Sequence, residues 1–244
     1  MSAGPRVVIS QSMLFPWVGM LEQIRLADVF VHYDDVQYSK GSFVNRVQVK
    51  LPEGIRWMTV PLQDFHFGQR VDELQPNGAK DWRRQHLDLL ARSFKSAPFR
   101  DDAIGLAKAV YVQQYASVGD LSRASMLALA DYFGFASGRH FLDVRDLDVP
   151  GISTDRVLAV VQRLGGGTYI TGHGAARYLE HERFAAASID VEYMDYRLLP
   201  YSQAHGPFTP YVSSLDLIAN CGHAGLDVIV SKTLPWRQFI NERG

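Results

Sequence analysis

The fold of this chain is decided by residues 7–19, which read VVISQSMLFPWVG. A short apolar run passes directly into polar residues and then into Phe-Pro-Trp. Residues 29–38, which read VFVHYDDVQY, repeat this change from apolar to polar. The pattern predicts short buried strands over 7–11 and 29–33, with a helix over 19–27 between them. Such a βαβ unit has a right-handed crossover in nearly all proteins.

The polar residues that follow the two strands are predicted to lie together. In an open α/β sheet the ligand crevice lies at the carboxyl ends of the parallel strands. Alternation along the second strand points His32 and Tyr33 to opposite faces of the sheet. We expect one crevice to be faced by Gln11, Ser12, His32, Asp34 and Asp35.

The rest of the chain continues with strands and helices. Residues 43–49 and 57–60 are predicted to form a hairpin. A helix over 154–164, capped by Ser153 or Thr154, opens a second α/β unit after a short strand over 143–147. The predicted fold class is α/β, with a Rossmann-like, mostly parallel sheet and an inserted or adjacent helical lobe. The predicted single domain over 1–244 comprises an α/β core at about 6–62 and 140–200, a helical lobe at about 80–135 and a C-terminal helical segment at about 200–244.

Composition and charge limit the classes of function. The chain has 244 residues, of which 47% are hydrophobic, and a formal net charge of −1. This balance does not support nonspecific nucleic-acid binding, although a local patch for specific RNA contact stays open. The single cysteine, Cys221, excludes an intrachain disulfide and fits a reducing compartment. The first apolar run is too short for a signal peptide or a membrane span, so we expect a cytoplasmic protein with no membrane partner.

Asp34 and Asp35 are the main catalytic candidates. Adjacent carboxylates at the end of a strand can hold a metal, a ribose or an amine, and one of them can act as a base. The alternative is that one of them caps a turn, as aspartate readily does. His32 is a third candidate, either for catalysis or for a structural hydrogen bond. The bulky polar residues around the pair are predicted to bind substrate: Tyr38, Lys40, Asn45 and Arg46.

Gly172 and His173 are substrate-binding candidates from the second α/β unit. They lie where a short strand meets a helix, a position suited to an anion, although glycines also occur there for packing alone. The triplet at 165–167 follows a helix rather than a strand, so a helix stop explains it better than a dinucleotide loop. Cys221 and His223 are too close in sequence to face each other as nucleophile and base, and a buried thiol is the other interpretation. No spacing typical of metal ligands is present, and neither a metal nor a cofactor is predicted.

The same residues resemble the WbqC-like protein family. The first two matching blocks, 9–19 and 34–38 with Asn45 and Arg46 following, are the more specific ones. Weaker blocks lie at 57–61, at 169–172 and at 215–220, so the resemblance covers nearly the whole chain. Ser12 stands where the family commonly has proline, and position 221 varies in the family, which argues against Cys221 as an obligatory nucleophile.

The resemblance implies a bacterial protein that decorates amino sugars or other small molecules during O-antigen or specialised-metabolite assembly. We expect a transferase that forms an amide by acyl or aminoacyl transfer from a thioester or an aminoacyl-tRNA to an amine. Asp34 or Asp35, assisted by His32, would hold or deprotonate that amine. The other roles are orientation of polar groups by Gln11, Asn45 and Arg46, and binding of an anionic portion by His173 with the amides near Gly172 and Gly174.

Two alternatives stay open at this point. One is a noncatalytic subunit that recognises a sugar nucleotide or a carrier-bound intermediate for a partner enzyme. The other, a nucleotidyltransferase-like enzyme, rests on fold-level analogy only. It is the weaker alternative because residues 17–20 read WVGM where such enzymes have HxGH. The expected partners are a small-molecule substrate and a carrier protein or an aminoacyl-tRNA as donor.

Overall fold

A computed structural model describes residues 4–242 as alternating strands and helices, so residues 1–3 and 243–244 of the predicted domain lie outside the described part. The strands are β1 (Arg6–Ser10), β2 (Val29–His32), β3 (Arg46–Leu51), β4 (Gly54–Thr59), β5 (Leu62–Gln63), β6 (Gln75–Pro76), β7 (His140–Asp143), β8 (Thr168–Thr171), β9 (Asp190–Asp195) and β10 (Lys232–Pro235). The helices are α1 (Val18–Leu26), α2 (Trp82–Ser93), α3 (Arg100–Tyr111), α4 (Val118–Tyr132), α5 (Ser153–Arg163), α6 (His181–Ala186), α7 (Ser214–Cys221) and α8 (Trp236–Asn241).

The main sheet has six strands within residues 4–242, in the order β10-β9-β8-β1-β2-β7. Its strands pair in parallel except at the edge, where β10 runs antiparallel to β9. In the centre, Val8 of β1 lies opposite Phe30 of β2 and Ile170 of β8. The prediction of an α/β fold with a mostly parallel sheet is therefore confirmed.

Each face of the sheet is covered by its own set of helices. Val8, Phe30 and Ile170 pack in one cluster with α1, the helical lobe α2–α4 and α7. Val7, Val31 and Tyr169, which alternate with the first set, pack with α5 and α6. Because both faces are covered, the middle residues of the central strands are apolar on both faces, as is usual in parallel sheets. Within residues 4–242, no helix has the length and apolar character needed to cross a membrane.

The hairpin β3–β4 forms as predicted but makes a separate two-stranded sheet. It packs against the helical lobe, where the hydroxyl of Ser93 donates to the carbonyl oxygen of Lys50 at 2.7 Å. The segment predicted as helical at about 200–244 also contributes β10 to the sheet edge.

Two local predictions are wrong. The cap of α5 is Ile152 and makes no side-chain bond to the helix. Ser153 instead has a φ of 51°, and the hydroxyl of Thr154 donates to the carbonyl oxygen of Tyr178 at 3.2 Å. A strand was expected over 143–147, but the strand β7 ends at Asp143, and residues 144–147 form a 3-10 helix.

Candidate functional site

A cleft of about 1160 Å³ opens at the carboxyl ends of β1, β2 and β8. β1 leads into α1 on one face of the sheet, whereas its neighbour β8 leads towards α6 on the other face. Where neighbouring strands send their connections in opposite directions, the loops separate and leave a crevice. We call this crevice, lined by residues that include Gln11, Trp17 and His173, the switch-point cleft.

Aromatic rings and amide groups dominate the lining of the switch-point cleft. Its aromatic side chains are Trp17, Tyr33, Tyr169, Tyr178, Tyr196 and Tyr211, and its amide side chains are Gln11, Gln23 and Gln37. Across residues 4–242, none of those that line the cleft is Asp, Glu, Lys or Arg. Rings that stack and neutral groups that form hydrogen bonds fit a neutral, polyhydroxylated ligand.

Trp17 is held in the cleft by α7 and by two tyrosines. Its ring centroid lies 5.0 Å from that of Tyr196 and 5.6 Å from that of Tyr211. At the start of α7, the hydroxyls of Ser213 and Ser214 donate to the carbonyl oxygens of the two residues before Trp17, at 2.8 and 2.7 Å. These bonds fix the Phe-Pro-Trp turn, in which Phe15 has a φ of 37°. The turn therefore orients a stacking ring.

His173 lines the switch-point cleft and is the histidine among the described residues that do so. Its Nε2 lies 2.7 Å from the carbonyl oxygen of Met194, and its ring contacts that of Tyr196 at 5.0 Å. Because a carbonyl oxygen only accepts, Nε2 carries the proton of this hydrogen bond. In the neutral imidazole the basic nitrogen is then Nδ1.

Ser12, His32 and Asp34 form a buried group instead of lining the cleft. The carboxylate of Asp34 accepts the backbone N–H of Ser12 at 2.8 Å and its hydroxyl at 2.6 Å. That hydroxyl lies 2.9 Å from Nδ1 of His32. All three residues are at most 1% exposed. The prediction that they face the crevice is wrong, because the bonds to Ser12 turn the Asp34 side chain inward.

Burial and Arg123 set the electrostatics of this group. Burial lowers the pKa of His32 to about 3, and the guanidinium of Arg123 acts in the same direction. Burial also raises the pKa of Asp34, against the opposing effect of its hydrogen bonds from Ser12 and of Arg123. Arg123 bridges Asp34 at 3.3 Å and Asp143 at 2.7 Å. The group thus ties together the carboxyl ends of β1, β2 and β7.

The remaining residues predicted near the aspartate pair are also placed outside the switch-point cleft. Asp35 is bound by Arg156 in an adjoining cleft. The hydroxyl of Tyr38 donates to Asn45, whose amide donates to the carbonyl oxygen of Val60, and both side chains are buried.

Arg46 and Lys40 likewise do not line that cleft. Arg46 donates to the carbonyl oxygen of Gly41 at 3.0 Å and lies over the ring of Trp57 at 4.1 Å. Lys40 is exposed and does not line the cleft. Of the predicted residues, the structure therefore brings together Gln11, Gly172 and His173.

Several residues that line the cleft were not predicted from the sequence to belong to the site. Tyr196 directly follows β9, so the rule of polar residues at strand ends could have found it. Gln23 lies on α1 and donates to the hydroxyl of Tyr196 at 2.9 Å. Tyr211 lies in a long segment before α7 and carries no such signal. In the part of the chain described, no group of three or more His, Cys, Asp or Glu could hold a metal ion.

Comparisons with known proteins give two matches. The profile of the WbqC-like protein family matches residues 11–228. This chain belongs to the WbqC-like protein family. The WbqC-like chain is also 31% identical over 227 residues to Uncharacterized protein Rv1507c of Mycobacterium tuberculosis. The aligned region covers 92% of this chain and 97% of the mycobacterial protein. No solved structure matches the WbqC-like chain significantly.

Proposed function

We propose that this protein is a cytoplasmic transferase that forms an amide on an amino sugar or a similar small amine. The donor is a thioester or an aminoacyl-tRNA. The observation that supports this proposal is the switch-point cleft, in which stacking rings and three glutamine amides surround one oriented histidine. The rings suit the face of a sugar, and the amides suit its hydroxyl groups.

The described residues that line the cleft carry no Asp, Glu, Lys or Arg, and this neutral lining favours the reactive form of an amine. Removal from water lowers the pKa of an amine, whereas a nearby carboxylate raises it. Only the neutral amine attacks a carbonyl carbon, so a neutral lining favours the nucleophile. A carboxylate such as Asp34 or Asp35 would retain the unreactive ammonium. We therefore assign proton removal to His173.

The proposed reaction has one bond-forming and one bond-breaking event. The amine nitrogen attacks the acyl carbon, so that a C–N bond forms and the C–S or C–O bond to the donor breaks. The proton lost by the amine passes to Nδ1 of His173 and then to the departing thiolate or ribose oxygen. A positioned base of this kind contributes about 10² to 10⁴ in rate.

The test uses D-glucosamine as acceptor, with S-acetylpantetheine and an aminoacyl-tRNA as donors. The N-acylated product is measured by mass spectrometry, and binding of the acceptor is measured by calorimetry. His173→Gln is expected to keep acceptor binding and to lower turnover at least about 100-fold. His181→Gln is the matched control, because His181 lies outside the cleft and stacks on Trp236 at 4.6 Å.

The outcomes separate the two classes of function. Unchanged turnover in His173→Gln contradicts the proposed base. Acceptor binding without product from either donor supports the noncatalytic binding subunit instead. That alternative uses the same aromatic lining and needs no proton acceptor.

A further inference from the structure

A second cleft of about 620 Å³ adjoins the switch-point cleft. The two clefts share a wall made of Tyr33, Val36, Gln37 and Tyr178. We call the second one the side cleft; its other lining residues include Gly68, Ile152 and Arg156. Its volume is that of a small-molecule site. A ligand in the side cleft that passes over Tyr33 and Tyr178 enters the switch-point cleft.

The cations in the side cleft are already matched by carboxylates. Arg156 binds Asp35 through two hydrogen bonds, at 2.9 and 2.5 Å, and lies over the ring of Tyr33 at 5.0 Å. Arg70 pairs with Asp72 and Glu73 at 3.0 and 3.4 Å. The charges of these guanidinium groups are already balanced, which weakens the attraction of the side cleft for a phosphate. The side cleft therefore favours a neutral ligand.

The wall of the side cleft also suits an extended chain that contains amides. Gly68 and Gly151 present backbone rather than side chain to the cleft, and Gly151 has a φ of 113°, which favours glycine. Backbone groups and the amide of Gln37 can pair with the amides of a ligand. Tyr33, Val36 and Val157 supply apolar contact between these polar positions.

Large apolar side chains are exposed at the rim of the side cleft. Ile152 is 79% exposed and Tyr178 is 49% exposed, and both line the cleft. Phe67, which is 89% exposed, directly precedes the lining residue Gly68. Exposed apolar groups around a cleft mark a contact surface for another protein. A tRNA would instead require unpaired cations for its phosphates.

We infer that the side cleft binds the pantetheine arm of an acyl thioester presented by a carrier protein, whose surface contacts Phe67 and Ile152. The pantetheine part of the arm is neutral, contains two amides and directs its acyl group over Tyr33 and Tyr178 towards the amine, while the phosphodiester that joins the arm to the carrier stays outside the cleft. The inference rests on the proposed function. The amine nitrogen bonds to the acyl carbon, the C–S bond breaks, and the thiol leaves with the proton that His173 accepted.

Two small probes test the arm site by binding alone. Ile152→Asp is expected to weaken binding of S-acetylpantetheine at least fivefold and to leave binding of D-glucosamine unchanged. Trp17→Ala is expected to do the reverse. Val112→Asp is the matched control for an exposed apolar residue, since Val112 is 71% exposed and lies at the end of α3, and it is expected to change neither. Binding of S-acetylpantetheine that depends on Trp17 but not on Ile152 overturns the inference.

A third probe identifies the source of the arm. A bacterial acyl carrier protein loaded with an acetyl group is expected to bind at least tenfold more tightly than S-acetylpantetheine or acetyl coenzyme A. Phe67→Asp is expected to remove this advantage and to leave S-acetylpantetheine binding unchanged. Tighter binding of acetyl coenzyme A or of an aminoacyl-tRNA overturns the assignment to a carrier protein. If the variants behave as expected but no amide forms, the proposed function fails while the arm site stands.

Discussion

Asp34 holds the ends of two strands together through contacts that suit a carboxylate. It accepts two hydrogen bonds from Ser12 and faces Arg123 while 1% exposed. Asp34→Asn removes the charge that faces Arg123 and replaces one accepting oxygen by a donor. We expect the free energy of unfolding, measured in urea, to fall by about 2–4 kcal/mol. Asp155→Asn, which loses an exposed pair with Arg183, is the control and should change it little. Equal losses in both variants would contradict a stabilising role for the buried carboxylate.

His32 and His86 make the core sensitive to acid. Burial lowers the pKa of His32 to about 3 and that of His86 to about 4. Unfolded histidine titrates near pH 6.5, so below that pH the unfolded chain binds protons that the folded chain does not. Each histidine therefore contributes stability that is complete above about pH 6.5 and is lost as the pH falls towards its folded pKa. The loss is about 1.4 kcal/mol per pH unit and per histidine well inside that window.

The slope of stability against pH tests these two pKa values. Between pH 6 and pH 5, His32→Gln is expected to reduce the loss of unfolding free energy by about 1 kcal/mol relative to the unchanged chain. His86→Gln is the matched variant and should give a similar reduction. Asp216, whose pKa is raised to about 6 by burial, acts in the opposite direction but is present in every variant. If both variants keep the full slope, the histidines are not buried in their neutral form.

The residues of the site show how far local sequence can predict a function. Gln11 and His173 follow strands and do line the cleft, as the rule of strand ends predicts. Asp34 obeys the same rule in sequence, yet its side chain turns away. Its direction depends on Ser12, which is 22 positions earlier in the chain. A pattern within one segment locates the edge of the sheet but does not determine which side chains turn inward.

Elements with strong local signals were predicted closely, whereas those that depend on distant partners were not. The helix expected over 19–27 is α1 (Val18–Leu26), because its apolar stripe and its place between two strands are local features. The strand β10 had no such signal, since it is an edge strand that forms only by pairing with β9. The cap of α5 was wrong because the hydroxyl of Thr154 binds Tyr178.

Two helix ends allow a comparison of backbone strain with steric clash. Gly222 ends α7 with a φ of 57° and a ψ of −145°, and a Cβ there would lie 2.9 Å from the ring of Phe99. Gly134 follows α4 with a φ of 73°, and a Cβ there would meet nothing within 4 Å. We expect Gly222→Ala to lower the unfolding free energy by about 3 kcal/mol and Gly134→Ala by about 1 kcal/mol. Urea unfolding measures both, and equal losses would contradict an added cost at Gly222 from its backbone conformation and from the Phe99 ring.

At the scale of the whole molecule, the order of the strands creates the switch-point cleft. Tyr178, Tyr196 and Tyr211 come from three segments of the second half of the chain and meet Trp17 of the first half there. The sequence predicted the sheet and the edge at which the cleft opens. It did not predict which remote segments converge, because that depends on β8 lying beside β1 and not on any local pattern.

Under the proposed function, the charge of the cleft lining determines which form of an amine is bound. The described residues that line the cleft include no Asp or Glu, so Gln11→Glu introduces a carboxylate into a neutral lining. This carboxylate raises the pKa of a bound amine. With D-glucosamine and S-acetylpantetheine at pH 7, we expect KM for the amine to fall and kcat to fall by about fivefold to tenfold, because a one-unit rise in a pKa at or above the working pH lowers the neutral fraction of the amine by about that factor. The pH of half-maximal kcat should rise by about one unit. Gln85→Glu on the exposed face of α2 is the matched control and should change neither constant. A kcat that rises together with the affinity would contradict the role assigned to the neutral lining.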